Sequence, residues 1–156
     1  MTLHISGCEI EREVETYSKC VLLAGRDLAR GDVVLIKTLA GAYPDVADVR
    51  RLQREFWLLK ELDGANGVLP VTEMVFHGSG NPAIVSRASG LPLSHYIQTK
   101  RTSTWSLDRI VGIVLQATRA LAAIHAKNTI HKNLAPANIL VDDSDWTARL
   151  MNFDIA

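Results

Sequence analysis

The sequence predicts an α+β protein: a β-rich first half carrying one helix, then a long helix, a polar loop and a return to strand. Three observations predict this. Residues 8–39 hold three short runs of strand character, residues 45–62 and 107–127 carry apolar side chains at helical spacing, and the polar stretch His131–Val141 follows the second of these. Period and turn residues distinguish the two kinds of element.

Cys8–Val14 partly alternates, Cys20–Gly25 is a short apolar run, and Arg26–Gly31 forms a turn with Gly31-Asp32 at its tip. Asp32–Leu39 is strongly β-branched, so three antiparallel strands are expected. Alternation places Val33, Leu35 and Lys37 on one face of the last strand. A lysine on such a face needs a partner or a ligand; the alternative is a strand-end lysine reaching back to water. The helix over 45–62 takes Asp45 as N-cap and Gly64 as its stop, with Val49, Leu52, Phe56 and Leu59 as the apolar stripe. Glu55 borders that stripe. Its plain role would be a surface pair with Arg51 at i,i+4, worth only ~0.2–0.5 kcal/mol.

Val68–Phe76 and Pro82–Ser86 read as two further strands joined by the turn His77–Asn81, followed by a short helix Leu93–Gln98 and a polar loop Lys100–Thr104. Ser106 caps a long helix, Leu107–Lys127, whose core face is expected to be Leu107, Ile110, Val114, Ala117, Leu121 and Ile124. A helix so widely apolar should be largely buried. Asp142, Asp143 and Asp145 sit close together, but the rest of an EF-hand pattern is absent, so they read as a solvated turn. His125 and His131 lack a third ligand and read as packing or hydrogen-bonding residues.

Composition excludes several classes. Seventeen basic residues balance seventeen acidic ones, which gives no electrostatic footprint for nucleic acid. No apolar run approaches the ~20 residues of a membrane span. The start, Met-Thr-Leu-His-Ile-Ser, has no basic and apolar leader, and a cytoplasmic protein is expected. Cys8 and Cys20 form no CxxC motif and are expected to be reduced.

The chemistry-bearing stretch is His131–Val141, His-Lys-Asn-Leu-Ala-Pro-Ala-Asn-Ile-Leu-Val. It resembles the catalytic loop of protein kinases, H-R-D-L-K-P-x-N-I-L, with Asn133 at the position of the loop Asp, Ala135 at that of the Lys, and Asn138 kept. Val34-Leu-Ile-Lys37 resembles the V-A-x-K strand, and Ala148–Ala156 resembles V-K-L-x-D-F-G-x-A with Asn152 at the metal-binding Asp and Asp154 at the Gly. The resemblance covers residues 8–156, and its motifs are degenerate while their order is kept. It extends to the serine/threonine-kinase-like module at the N-terminus of large bacterial proteins that also carry an ATPase region and a sensor histidine kinase, on the runs Arg54–Lys60 and Trp105–Val141.

The resemblance implies a protein kinase-like fold: an N-lobe over 1–86, then the hinge and an incomplete C-lobe over 87–156, ending where the family's activation segment would begin. It implies ATP and Mg²⁺ as cofactors. It casts Lys37 as the phosphate lysine and Glu55 as its ion-pair partner. Val21, Leu35 and Val85 would line the adenine pocket, Ser86 and Ala88 would form the hinge, and Asn138 and Asn152 would hold the metal. Aligning Val21 with the family's valine leaves Val14, Thr16 and Lys19 where its glycines stand, so close backbone approach to phosphate is harder. Lys19 would offer a charge instead, or is simply solvated. Asn133 is no base at neutral pH, and general-base assistance is typically worth ~10²–10⁴ in rate. The implied function is therefore a serine/threonine kinase-like domain impaired in catalysis. The alternatives are a pseudokinase-type module that holds a partner, or an inactive fragment of a longer signalling chain; small-molecule phosphotransferases share the lobe arrangement. An incomplete C-lobe should leave helix 107–124 with an exposed apolar surface suited to a protein partner or self-association.

Overall fold

A computed structural model describes residues 4–17, 19–78, 80–99 and 101–156. The chain forms two compact units, Met1–Lys60 with Pro70–Ser89, and Glu61–Leu69 with Gly90–Ala156. Together they give the expected α+β class. Lys100 of the expected polar loop lies outside the described residues; Arg101–Thr104 is a 3-10 turn.

In the first unit, β1 (Cys8–Thr16), β2 (Cys20–Asp27), β3 (Val33–Leu39), β4 (Glu73–His77) and β5 (Asn81–Ser86) form one antiparallel sheet in the order β1-β2-β3-β5-β4. The turn after β2 closes as expected: Asp27 Oδ1 accepts the Ala29 and Arg30 N–H groups, and Gly31 supplies a φ of +75°. The strand expected over 68–76 begins only at Glu73. Pro70 has no N–H to give a ladder, and Val68 instead makes a parallel bridge to Leu150 within the second unit.

One sheet face buries Leu23, Val34, Ile36, Ala83 and Val85, with Val21 packed against them. Thr38 shares that face and is fully buried. Its hydroxyl donates to the Pro82 carbonyl at 2.9 Å, so the 2.7 Å contact to His77 is Nε2–H donating to Thr38 Oγ1. Burial holds His77 below its ordinary value of 6.5. The unfolded state then binds the proton more readily. Stability from this group is complete above about pH 6.5 and is lost as pH falls below it. Urea unfolding from pH 7.5 to 5 should show this decline, and His77→Gln, which keeps a donor but does not titrate, should flatten it.

Helix α1 (Val46–Glu61) starts as the sequence predicts, with Asp45 Oδ1 accepting the Ala47 N–H at 2.8 Å. It buries Leu52, Phe56 and Leu59 together with Asp48 and Glu55. Near its end Lys60 Nζ donates to the Val71 and Thr72 carbonyls at 3.1 and 2.8 Å, tying the helix to the segment that leads into β4.

The second unit holds β6 (Leu91–Pro92), β7 (Ile139–Asp142) and β8 (Thr147–Leu150) in the order β6-β7-β8, with helices α2 (Leu93–Gln98) and α3 (Leu107–His125). Ser106 caps α3, its Oγ accepting the Arg109 N–H. The expected core face of α3 is corrected. Ile113, Ala117, Ala120 and Ile124 are buried, whereas Leu107, Ile110 and Val114 are exposed, along with Val111 and Leu115. Two contacts set that rotation. The Gln116 amide pairs like a strand with the β8 region, donating to Trp146 O and accepting from Ala148 N at 2.9 Å each. Ala120 also lies against Gly67, where an added Cβ would come within 2.6 Å of the alanine methyl. Tyr96, Ile113, Val141 and Ala148 form a core cluster here. Among the described residues, no helix is long and apolar enough to cross a membrane.

Candidate functional site

The functional side chains fall into two groups, one in each unit. In the first unit β3 carries Lys37 directly opposite Leu22 of β2 and Ile84 of β5. Directly opposite residues of an antiparallel ladder project to the same face, so Leu22, Leu35, Lys37, Ile84 and Ser86 share one face. Helix α1 delivers Glu55 to it, and Lys37 Nζ donates to Glu55 Oε2 at 2.7 Å. The two side chains are only 11% and 1% exposed. The surface pair between Arg51 and Glu55 does not form; Arg51 faces Asp48 at 3.5 Å.

The same register corrects two expected pocket residues. Val21 stands opposite Thr38 and Val85 opposite Ile36, so both belong to the far face, in the core cluster with Ile36. Leu35 and Ser86 do lie on the lysine face, and Leu22 and Ile84 join them there without having been anticipated. A one-residue offset in the assumed strand alignment is sufficient to exchange the faces. Ala88 follows β5 in an irregular segment, and its N–H donates to the Ser86 carbonyl at 3.1 Å. An adenine ring seeking those two backbone groups would compete with that contact.

Where a glycine-rich loop would stand, the chain has Val14 and Thr16 inside β1 and Lys19 beyond them. Lys19 is exposed but not unpaired: its Nζ bonds both oxygens of the buried Asp48, at 3.0 and 2.8 Å. This pair anchors the β1–β2 turn to the first turn of α1.

In the second unit the loop after α3 is held by His131. Its ring is buried; Nε2–H donates to Met151 O at 2.9 Å, and Nδ1 accepts the Asn133 N–H at 3.3 Å. The ring packs on Phe153 with centroids 4.5 Å apart, and Lys132 turns through a φ of +60° between the two anchors. Asn138 Nδ2 donates to the Asn133 carbonyl at 2.7 Å, and Asn152 Nδ2 donates to Asn138 Oδ1 at 2.7 Å. The Asn138 and Asn152 side chains are thus linked amide to amide, and Asn133 joins them through its main-chain carbonyl. Asp154 makes no hydrogen bond or ion pair with them among the described residues.

The donor set here does not fit the magnesium ion that the resemblance implies. Mg²⁺ favours carboxylate oxygens and retained waters in a strict octahedron. The two candidate ligands are neutral, and Asn138 Oδ1 already accepts an N–H. Among the described residues no cluster of three His, Cys, Asp or Glu side chains is placed to hold a metal. The Asp142 turn is a local one, with Asp142 Oδ1 accepting from the Ser144 N–H and hydroxyl. A nucleotide's phosphates fit better, since Lys37 gives Glu55 one of its three N–H donors.

Comparison with known proteins completes the description. Residues 19–156 match the family model described as protein tyrosine and serine/threonine kinase. Mitogen-activated protein kinase p38b of Drosophila melanogaster is 33% identical over 135 residues, covering 79% of this chain and 34% of that protein. Mitogen-activated protein kinase 15 of Mus musculus is 28% identical over 148 residues, 94% of this chain and 26% of that protein. A probable serine/threonine-protein kinase of Lactococcus lactis, PknB, is 28% identical over 135 residues, 85% of this chain and 21% of that protein. The chain therefore spans about a third or less of the length of these curated relatives.

Proposed function

This chain belongs to the protein tyrosine and serine/threonine kinase family, and from that premise we propose that it is a kinase-like signalling domain that binds ATP but does not transfer its phosphate. The observation that carries the reading is the contrast between the two groups of side chains. The buried Lys37–Glu55 pair is intact at 2.7 Å, while the catalytic loop presents amides at each position where the chemistry needs a carboxylate. In this reading Lys37 meets the α- and β-phosphates and Glu55 keeps its ammonium in place. Leu35 and Ser86, with Leu22 and Ile84, pack beside the base, while Asn133, a neutral amide, cannot take a hydroxyl's proton.

Phosphoryl transfer depends on positioning and charge stabilisation, and a missing base alone removes about 10²–10⁴ in rate. The domain then works through its bound state, as a regulatory, pseudokinase-type part of a longer cytoplasmic signalling chain. Its partner in this reading is the remainder of that chain, seated on the apolar face Leu107, Ile110, Val111, Val114 and Leu115 of α3. The support is their exposure, from 42% to 74%, and the third or less of the relatives' length that this chain covers.

Incubation with γ-labelled ATP and serine- and threonine-containing peptides is the test. No label above the protein-free control is expected. Label incorporation that Asn138→Ala removes would overturn the proposal.

A further inference from the structure

The amide chain of the second unit settles its own geometry. Asn138 Nδ2–H donates to the Asn133 carbonyl at 2.7 Å, which turns Oδ1 toward Asn152. There it accepts Asn152 Nδ2 at 2.7 Å. A backbone bond from the Met151 N–H to the Asn138 carbonyl, 3.0 Å, closes the same pair of segments. Asn138 and Asn152 are 5% and 7% exposed, so little water competes. Asn152 sits at a φ of +64°, a left-handed conformation that asparagine tolerates better than most residues.

The alternative occupants of position 152 show what this arrangement does. A carboxylate there would set an oxygen against Asn138 Oδ1 at hydrogen-bond distance. Two oxygens so placed repel unless a cation lies between them. The amide of Asn152 supplies the positive edge itself, through its N–H. Reversing Asn152 would recreate the oxygen pair, and reversing Asn138 would leave its donor against Asn152's and its oxygen against the Asn133 carbonyl. The orientation shown is the one that pairs a donor with an acceptor at both of these contacts without an ion.

We propose that the Asn152–Asn138 hydrogen bond replaces a divalent cation at this site, so that the loop is built, and any nucleotide is held, independently of Mg²⁺. The nucleotide half of this statement rests on the function proposed above; the metal half does not.

The experiment uses the full chain in chelator and then in millimolar MgCl₂ or MnCl₂, first without nucleotide. The melting temperature of the wild type should not change, and proton relaxation should detect no bound Mn²⁺. Asn152→Asp should melt lower in chelator and recover with either ion, following the linkage RT ln(1 + [L]/Kd). One Mn²⁺ bound per wild-type chain and lost in Asn138→Ala would overturn the proposal, as would an Asn152→Asp melt that equals the wild type in chelator. If Asn152→Asp does not fold, the Mn²⁺ measurement on the wild type decides alone. A second arm titrates ATP in chelator and in Mg²⁺. Affinities within about twofold are expected, and affinity at least tenfold weaker in chelator contradicts the proposal. If ATP binds in neither condition, the function proposed above fails while the metal arm still judges the amide bond.

Discussion

Lys37→Met is expected to lower the unfolding free energy by about 3–5 kcal/mol, because it leaves the Glu55 carboxylate buried without its counter-charge. The carboxylate is 1% exposed, so water cannot replace the 2.7 Å bond from Nζ. Methionine matches the lysine stem in length, which confines the loss to the charge. Removing both charges should behave differently. A buried ion pair exchanged for apolar groups of similar volume is often neutral or stabilising, so Lys37→Met with Glu55→Met should recover most of the loss. Urea melts of the three variants check this through the midpoint at constant slope. A single variant that loses less than about 1 kcal/mol would show that the pair is solvated.

Gly25→Ala is expected to cost about 3 kcal/mol or more, at the upper end of overpacking effects. Gly25 lies in β2 opposite Ile10 of β1, beside the register shift between Ile10 and Arg12. A Cβ there would stand 2.2 Å from the Glu9 carbonyl oxygen and 3.3 Å from Ile10 Cα. The obstacle is backbone, so no side-chain rotation relieves it, and β1 must separate from β2. Chemical melts should show the loss, and amide exchange should speed up across Cys8–Thr16. Wild-type protection of β1 in this variant would mean that the bulge absorbs the methyl group.

The features legible in the sequence are those that a single element's periodicity determines. Lys37 and Glu55 are eighteen residues apart; each one's place on its own strand or helix is local, their pairing is what the family resemblance implies, and the structure joins them. Ser106 and Asp45 as caps, and Leu93–Gln98 as a helix, follow from equally local chemistry. What was not legible depends on partners. Val21 and Val85 change faces because a strand's register is set by its neighbours, and a one-residue offset moves every side chain across the sheet. The buried stripe of α3 was misplaced because apolar residues surround much of the helix, so its pattern has no unique face. The Gln116 amide and the Gly67 approach choose it. The two-residue strand β6 has no periodicity to read; Gly90 before it, at a φ of +122°, lets the chain run close to β7, since a Cβ there would stand 2.5 Å from Val141 O. Lys19 has the same lesson: nothing local indicates that Asp48, twenty-nine residues on, will hold it.

In the proposed function the Lys37 face binds a nucleotide and the protein does not transfer its phosphate. Calorimetric titration with ATP of the wild type and of the Lys37→Met, Glu55→Met double variant tests it most directly, since that variant is expected to stay folded without the phosphate-binding cation. Saturable binding at one ATP per wild-type chain is expected, with none by the folded double variant and no ADP released at the end of either titration. A cooperatively folded wild type that binds no ATP, or equal binding by both proteins, would contradict it.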